Sequence, residues 1–183
     1  MIKKWGCMTV LTVLMLVVLT GCEQLKEKEP EMPGRTKGKE SYTGFENIDS
    51  DYSTEDVING GGMVCTQTGI TGGRTNWDHF MKTVGEKKST RIRIMQKISG
   101  EDAFYKDVIY DGEEFRMIVS VNPEEYDFTY KYLLDLKGRR TKKSKESHLV
   151  ILTDEEELPF ETVIENESGR KKCEENYQLI FRE

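Results

Sequence analysis

The stretch FYKDVIYDGEEFRMIVSV, residues 104–121, decides the fold. Two runs rich in aromatic and β-branched residues, Phe104 to Tyr110 and Phe115 to Val121, flank Asp111-Gly112. Asp-Gly between such runs predicts a tight β-hairpin, because glycine enters the positive-φ region without steric cost. The period of two continues on both sides. Upstream, Ile92, Ile94 and Ile98 alternate with Arg91, Arg93 and Lys97. Downstream, Tyr126, Phe128, Tyr130, Tyr132, Leu134 and Leu136 form one alternating face; a long loop then leads to Leu149–Leu152. Tyr177, Leu179 and Phe181 read as a last strand.

Ahead of these strands the period changes. In NWDHFMKTVG, residues 76–85, Trp77, Phe80, Met81 and Val84 fall at i, i+3, i+4 and i+7, the stripe of an amphipathic helix. Asn76 is placed to cap it, Asp78 suits its first turn and Gly85 ends it. A shorter helix opens at Ser53, with Asp56 positioned for a capping box and Tyr52 and Val57 for a hydrophobic staple. Asn59 and Gly60–Gly62 close it, and a short strand follows at Met63–Gln67. Sequential hairpins preceded by helices predict an α+β domain: an antiparallel β-sheet with one main amphipathic helix packed on a face.

Several of these segments resemble a known family. Gly69-Ile70-Thr71 through Asn76 and Phe80, then Arg91-Ile92-Arg93-Ile94, the Ser99-Gly100-Glu101-Asp102 turn and Tyr110-Asp111-Gly112 look like the domain of unknown function numbered 4362. That family occurs in lipoproteins of Gram-positive bacteria. The resemblance covers residues 55–155; the chain departs from the pattern at Gly72, Gly73 and Ala103. It implies no activity and no site residues.

The amino terminus carries a separate signal. Lys3 and Lys4 precede an uncharged, mostly apolar run from Trp5 to Leu19, too short to span a bilayer, which needs about 20 residues. Basic start, short apolar middle and small residues form the layout of a secretory signal. Its end, Leu19-Thr20-Gly21-Cys22, resembles the lipobox of bacterial lipoproteins. The resemblance implies cleavage between Gly21 and Cys22 and acylation at the Cys22 sulfur, with palmitate-like chains that hold to a membrane at ~0.8 kcal/mol per buried CH₂. The expected organisation is a signal peptide over 1–21, a charged, Pro- and Gly-containing tether over 22–51, and one α+β domain over 52–183.

Loss of Lys3 and Lys4 takes the net charge from −6 to −8. So acidic a protein is a poor partner for nucleic acid, which selects positive surface. Cys7 leaves with the signal and Cys22 takes lipid, so Cys65 and Cys173 are the remaining candidates for a disulfide. Such a bond closes a loop of about 108 residues, worth up to ~4–5 kcal/mol; the alternative is two buried thiols. Neither cysteine lies in a CxxC pair, which disfavours dithiol redox chemistry and zinc.

Other motifs carry weak chemistry. GGGMVCTQTGITGGR, residues 60–74, lacks the Gly-Lys-Ser/Thr ending of a phosphate loop and the setting of a dinucleotide site, so turns are expected and no cofactor. His79 and His148 show no metal-ligand spacing, and no serine lies in a nucleophile elbow; no metal and no catalytic residue are expected. KGRRTKKSK, residues 137–145, concentrates Lys137, Arg139, Arg140, Lys142, Lys143 and Lys145. It reads either as a solvated hairpin tip or as a contact for anionic lipid or wall polymer, at ~1 kcal/mol per basic residue near a charged surface. TDEEELPFETVIENE, residues 153–167, reads as its acidic, solvated counterpart.

The functional expectation is a membrane-anchored extracytoplasmic lipoprotein on the cell membrane, with a non-catalytic domain that binds an envelope protein or an anionic wall polymer. The alternative is an envelope hydrolase. A concave pocket with a carboxylate pair or a positioned Ser-His favours the enzyme; a flat aromatic patch on the tyrosine-rich strand favours binding.

Overall fold

The computed structural model describes residues 43–46, 48, 52–98, 103–121, 124–168 and 176–183, all within one compact unit, Met32–Glu183. The signal segment, the Ser99–Asp102 turn, Cys22 and Cys173 lie outside the described residues.

The central hairpin forms as its sequence predicts, with a longer turn. Strand β4 (Ala103–Tyr110) pairs with β5 (Phe115–Val121), Tyr110 opposite Phe115. Four residues connect them rather than two. The Asp111 carboxylate accepts the amides of Glu113 and Glu114, and Gly112 takes φ +112°, so Asp111 organises the turn. Strand β3 (Thr90–Lys97) pairs with β4, and β6 (Glu124–Tyr130) pairs with β5. Ile92 and Ile94 are buried as the alternation requires, whereas Ile98 falls beyond the end of β3 and is exposed.

The α+β class holds, but one antiparallel sheet with one main helix is too simple. Helix α1 (Thr54–Asn59) leads to β1 (Met63–Thr66), β2 (Gly69–Gly72) and helix α2 (Arg74–Gly85). Helix α2 crosses over and returns the chain as β3, parallel to β1. The six-stranded sheet therefore runs β2-β1-β3-β4-β5-β6 with one parallel pair. A second sheet follows from a break in the long alternating face. Lys131 alone separates β6 from β7 (Tyr132–Gly138), which joins β8 (Ser147–Thr153) and β9 (Tyr177–Arg182) in the order β7-β8-β9. A third helix, α3 (Phe160–Glu167), occupies the stretch expected to be an acidic loop. Phe160, Val163 and Ile164 form a helical stripe between its glutamates, and with Leu158 they cover one face of the second sheet.

The main core lies between the sheets. Met63, Ile92, Ile94, Val108 and Met117 face Trp77 and Phe80 of α2 and Val150, Leu152, Ile180 and Phe181 of the second sheet. Trp77 meets Phe181 edge to face at 4.8 Å. On the other face of the large sheet, Val57 of α1 packs on Val64 and Met95. The capping box of α1 forms as predicted, Ser53 and Asp56 each accepting the other's amide. Packing also begins earlier than Tyr52. Phe45 is buried over the Arg93 guanidinium at 5.2 Å, and Gly44 O accepts from Arg93 Nη2 at 2.5 Å.

Asn76 does not cap α2. The helix begins three residues earlier, after Gly73 at φ +74°, and Asn76 Nδ2 donates to Ile58 O at 2.9 Å and Gly62 O at 2.8 Å. Gly73 lies so close to Gly62 that an added Cβ sits 2.3 Å from Gly62 O, and that approach carries the chain into α2. Gly73→Ala is expected to destabilise the fold by about 2–3 kcal/mol in urea unfolding. Gly85→Ala, a helical position with open space around it, is expected to stabilise it by about 0.5–1 kcal/mol.

Candidate functional site

The basic run forms the end of the β7–β8 hairpin, Gly138 pairing with Ser147. Its turn is held by two hydroxyl residues facing each other. Thr141 N donates to Ser144 Oγ at 3.0 Å, Ser144 N donates to Thr141 Oγ1 at 3.1 Å, and Ser144 Oγ donates to Thr141 O at 2.9 Å. This clasp puts Lys142 and Lys143 at the apex. Lys137, Arg139, Arg140, Lys142, Lys143 and Lys145 are all exposed. Among the described residues only Arg140 of these six has an ion-pair partner, Glu167 at 3.8 Å.

A groove of about 540 Å³ runs beside the hairpin base, lined by Arg140, Thr141, Ile164, Glu167, Ser168 and Arg182. It exists because α3 lies close against β7. Gly138 has no side chain, and the Phe160 ring fills that space; an added Cβ sits 2.3 Å from Phe160 Cδ1. The last turn of α3 thereby reaches the hairpin, and the Glu167 carboxylate is held by Arg182 Nη2 as well as facing Arg140. Cations at a helix carboxyl end also complement its dipole.

A second cleft, about 390 Å³, lies near Gly44, Tyr52, Arg91 and Arg93. Its carboxylate, Asp107, is engaged: Arg93 Nε donates to Oδ1 at 2.8 Å and Nη2 to Oδ2 at 2.7 Å. Asp107 holds the Arg93 guanidinium well above its ordinary range, although burial opposes it. Such a fork orders the sheet face and leaves no carboxylate pair poised for acid–base work.

The remaining candidates separate. His79 is exposed on α2, and the His148 ring faces Asp135 at 3.4 Å and Glu146 at 3.9 Å. Among the described residues no three His, Cys, Asp or Glu side chains gather as a metal site, and no helix is long and apolar enough to cross a membrane. The tyrosine-rich strand is not a flat binding patch: Phe128 and Tyr130 are buried in the core and Tyr126 packs against it. Cys65 is a free, buried thiol, while Cys173, Gly21 and Cys22 lie outside the described residues.

One buried cation went unread in the sequence. Lys106 is 6 % exposed on the inner face of β4. Its ammonium donates to Ile180 O at 2.6 Å, Leu179 O at 3.0 Å and Gln96 Oε1 at 3.2 Å. The β8–β9 register shifts here, Val150 opposite Phe181 but Ile151 opposite Leu179, so Ile180 bulges out of the pairing. Lys106 takes up carbonyls at that bulge. Alternation placed Lys106 on the Val108–Tyr110 face, and a lysine there is the only available signal.

Burial pushes the Lys106 ammonium down from 10.5 to about 8, and pushes the Cys65 thiol up from 9.0 to about 11, the Lys106 charge opposing the second shift. The two act oppositely on stability. Between pH 8 and 10.5 unfolded Lys106 binds more protons than folded, so its contribution rises with pH. Between pH 9 and 11 folded Cys65 binds more, so its contribution falls. Unfolding free energy is expected to rise from pH 8 to 9 and then level off. In Cys65→Ala the rise continues to about pH 10.5, and in Lys106→Met it disappears; urea titrations at each pH read this out. No family model, no curated protein and no solved structure matches the chain.

Proposed function

We propose that this chain is a lipid-anchored extracytoplasmic protein of the cell membrane whose α+β domain binds a component of the envelope without catalysing a reaction. The carrying observation is the basic, apolar, Leu19-Thr20-Gly21-Cys22 succession, with Cys22 as the acylated residue. The resemblance to the domain of unknown function numbered 4362 is in keeping with it. The arrangement of the domain adds support. Its clefts use their carboxylates in ion pairs with arginine, and a clasped hairpin carries a run of six exposed basic residues.

The test is metabolic labelling with a palmitate analogue, followed by fractionation. The wild-type chain is expected to carry label and sediment with membranes. Cys22→Ala is expected to lose the label. Crosslinking in native membranes then identifies what the domain holds, with Cys22→Ala as the unanchored control. An unlabelled wild-type chain overturns the reading.

A further inference from the structure

We infer that the groove between the β7–β8 turn and the last turn of α3 is a phosphate site, and that its ligand is a linear phosphodiester polymer continuing over the tip lysines. The inference rests on the reading of the chain as an envelope-binding domain, and names the partner. Arg140 from the hairpin and Arg182 from β9 come from separate elements and converge on one anion, the Glu167 carboxylate. Two guanidinium groups meeting at a carboxylate mark a place where an oxyanion is stable, and their forked donors match phosphate oxygens. Arg140 stands 3.8 Å from Glu167, too far for a direct hydrogen bond, so its donors are not used by that contact. Thr141 lines the same groove, and its hydroxyl, which accepts from Ser144 N, keeps its own proton to donate; the Ser168 hydroxyl on the same wall donates to Glu165 O. Glu167 thus occupies the position of a ligand anion, an internal counter-ion that an incoming phosphate displaces from the arginines.

Shape favours a polymer over a bilayer. A planar surface meets protruding atoms only, and the groove is a concavity of about 540 Å³, a volume suited to a bound group. The turn from Arg139 to Glu146 holds no aromatic or aliphatic side chain to embed among acyl chains. Phosphates spaced along a chain satisfy both parts: one enters the groove, and the next meet Lys142, Lys143 and Lys145, which have no ion-pair partner among the described residues. The chain's net negative charge makes this localised positive surface the selective feature.

The experiment titrates the full-length protein, in detergent micelles, with a fluorescent glycerol phosphate oligomer. Arg140→Ala and Arg182→Lys are each expected to weaken binding about tenfold, the loss of one charge-assisted fork. Glu167→Gln is expected to strengthen it about threefold, because the competing anion is removed. Reversal of Lys142 and Lys143 to Glu is expected to weaken binding and flatten its salt dependence. Competition is measured with phosphatidylglycerol vesicles against phosphatidylcholine vesicles, so that insertion of the anchor cancels; little difference is expected. Unfolding midpoints control for folding, and Arg140, exposed on the turn, keeps the test decisive if Arg182→Lys is unstable. Unchanged affinity in Arg140→Ala, or no gain in Glu167→Gln, overturns the groove. Strong competition by phosphatidylglycerol that depends on the lysines alone assigns the hairpin to the bilayer instead. No oligomer binding by a chain that is labelled and anchored defeats this inference and leaves the envelope reading in place. An unanchored wild-type chain defeats the envelope reading itself.

Discussion

The position of Lys106 governs how the two sheets meet. A lysine on the inner face of a central strand is destabilising unless its ammonium finds acceptors, since burial of an unpaired charge costs several kcal/mol. Here Gln96 of the neighbouring strand supplies one acceptor, and the other two belong to the other sheet. Ile180 bulges out of the β8–β9 pairing, and Lys106 binds the carbonyls of Leu179 and Ile180. Each defect answers the other. Around this point Val150, Leu152 and Phe181 pack on Val108 and Met117, and hydrophobic burial supplies the bulk of the stabilisation, while the ammonium ties β4 to β9.

Much of the architecture is written in local patterns. The Ser53–Asp56 box, the Trp77–Val84 stripe and the Asp111-Gly112 turn each depend on residues close in sequence; the box and the stripe form where read, and the hairpin turns at Asp111-Gly112 with four connecting residues. What the pattern does not carry is non-local. The alternating run from Tyr126 to Leu136 looks continuous, and only the tertiary environment at Lys131 divides it between sheets. The parallel pairing of β1 with β3 follows from the α2 crossover, which no single stretch encodes. Helix α3 was masked by composition: its glutamates equal its apolar stripe in number and follow the acidic run Asp154–Glu157, so charge hid the period. Asn76 had the chemistry of a cap, but its amide donates to Ile58 O at the end of α1 and to Gly62 O in the glycine loop, 18 and 14 residues away.

The site was legible in part for the same reason. Six basic residues in one run are visible without a structure, and their exposure follows from charge. The groove is not visible, because its second arginine lies on β9 and its carboxylate on α3. The seating of α3 on the second sheet, with Phe160 against Gly138, brings Arg140, Glu167 and Arg182 together.

The single-residue junction at Lys131 has a mechanical consequence. A pull exerted at the hairpin tip travels along β7 and, with no loop to lengthen, passes directly into β6 at the rim of the large sheet. Seven residue pairs hold β6 to β5, and seven hold β7 to β8. Tension directed along those strands loads the ladders in shear, many hydrogen bonds sharing it at once, rather than peeling them one after another. A load applied at the tip therefore falls on both ladders together.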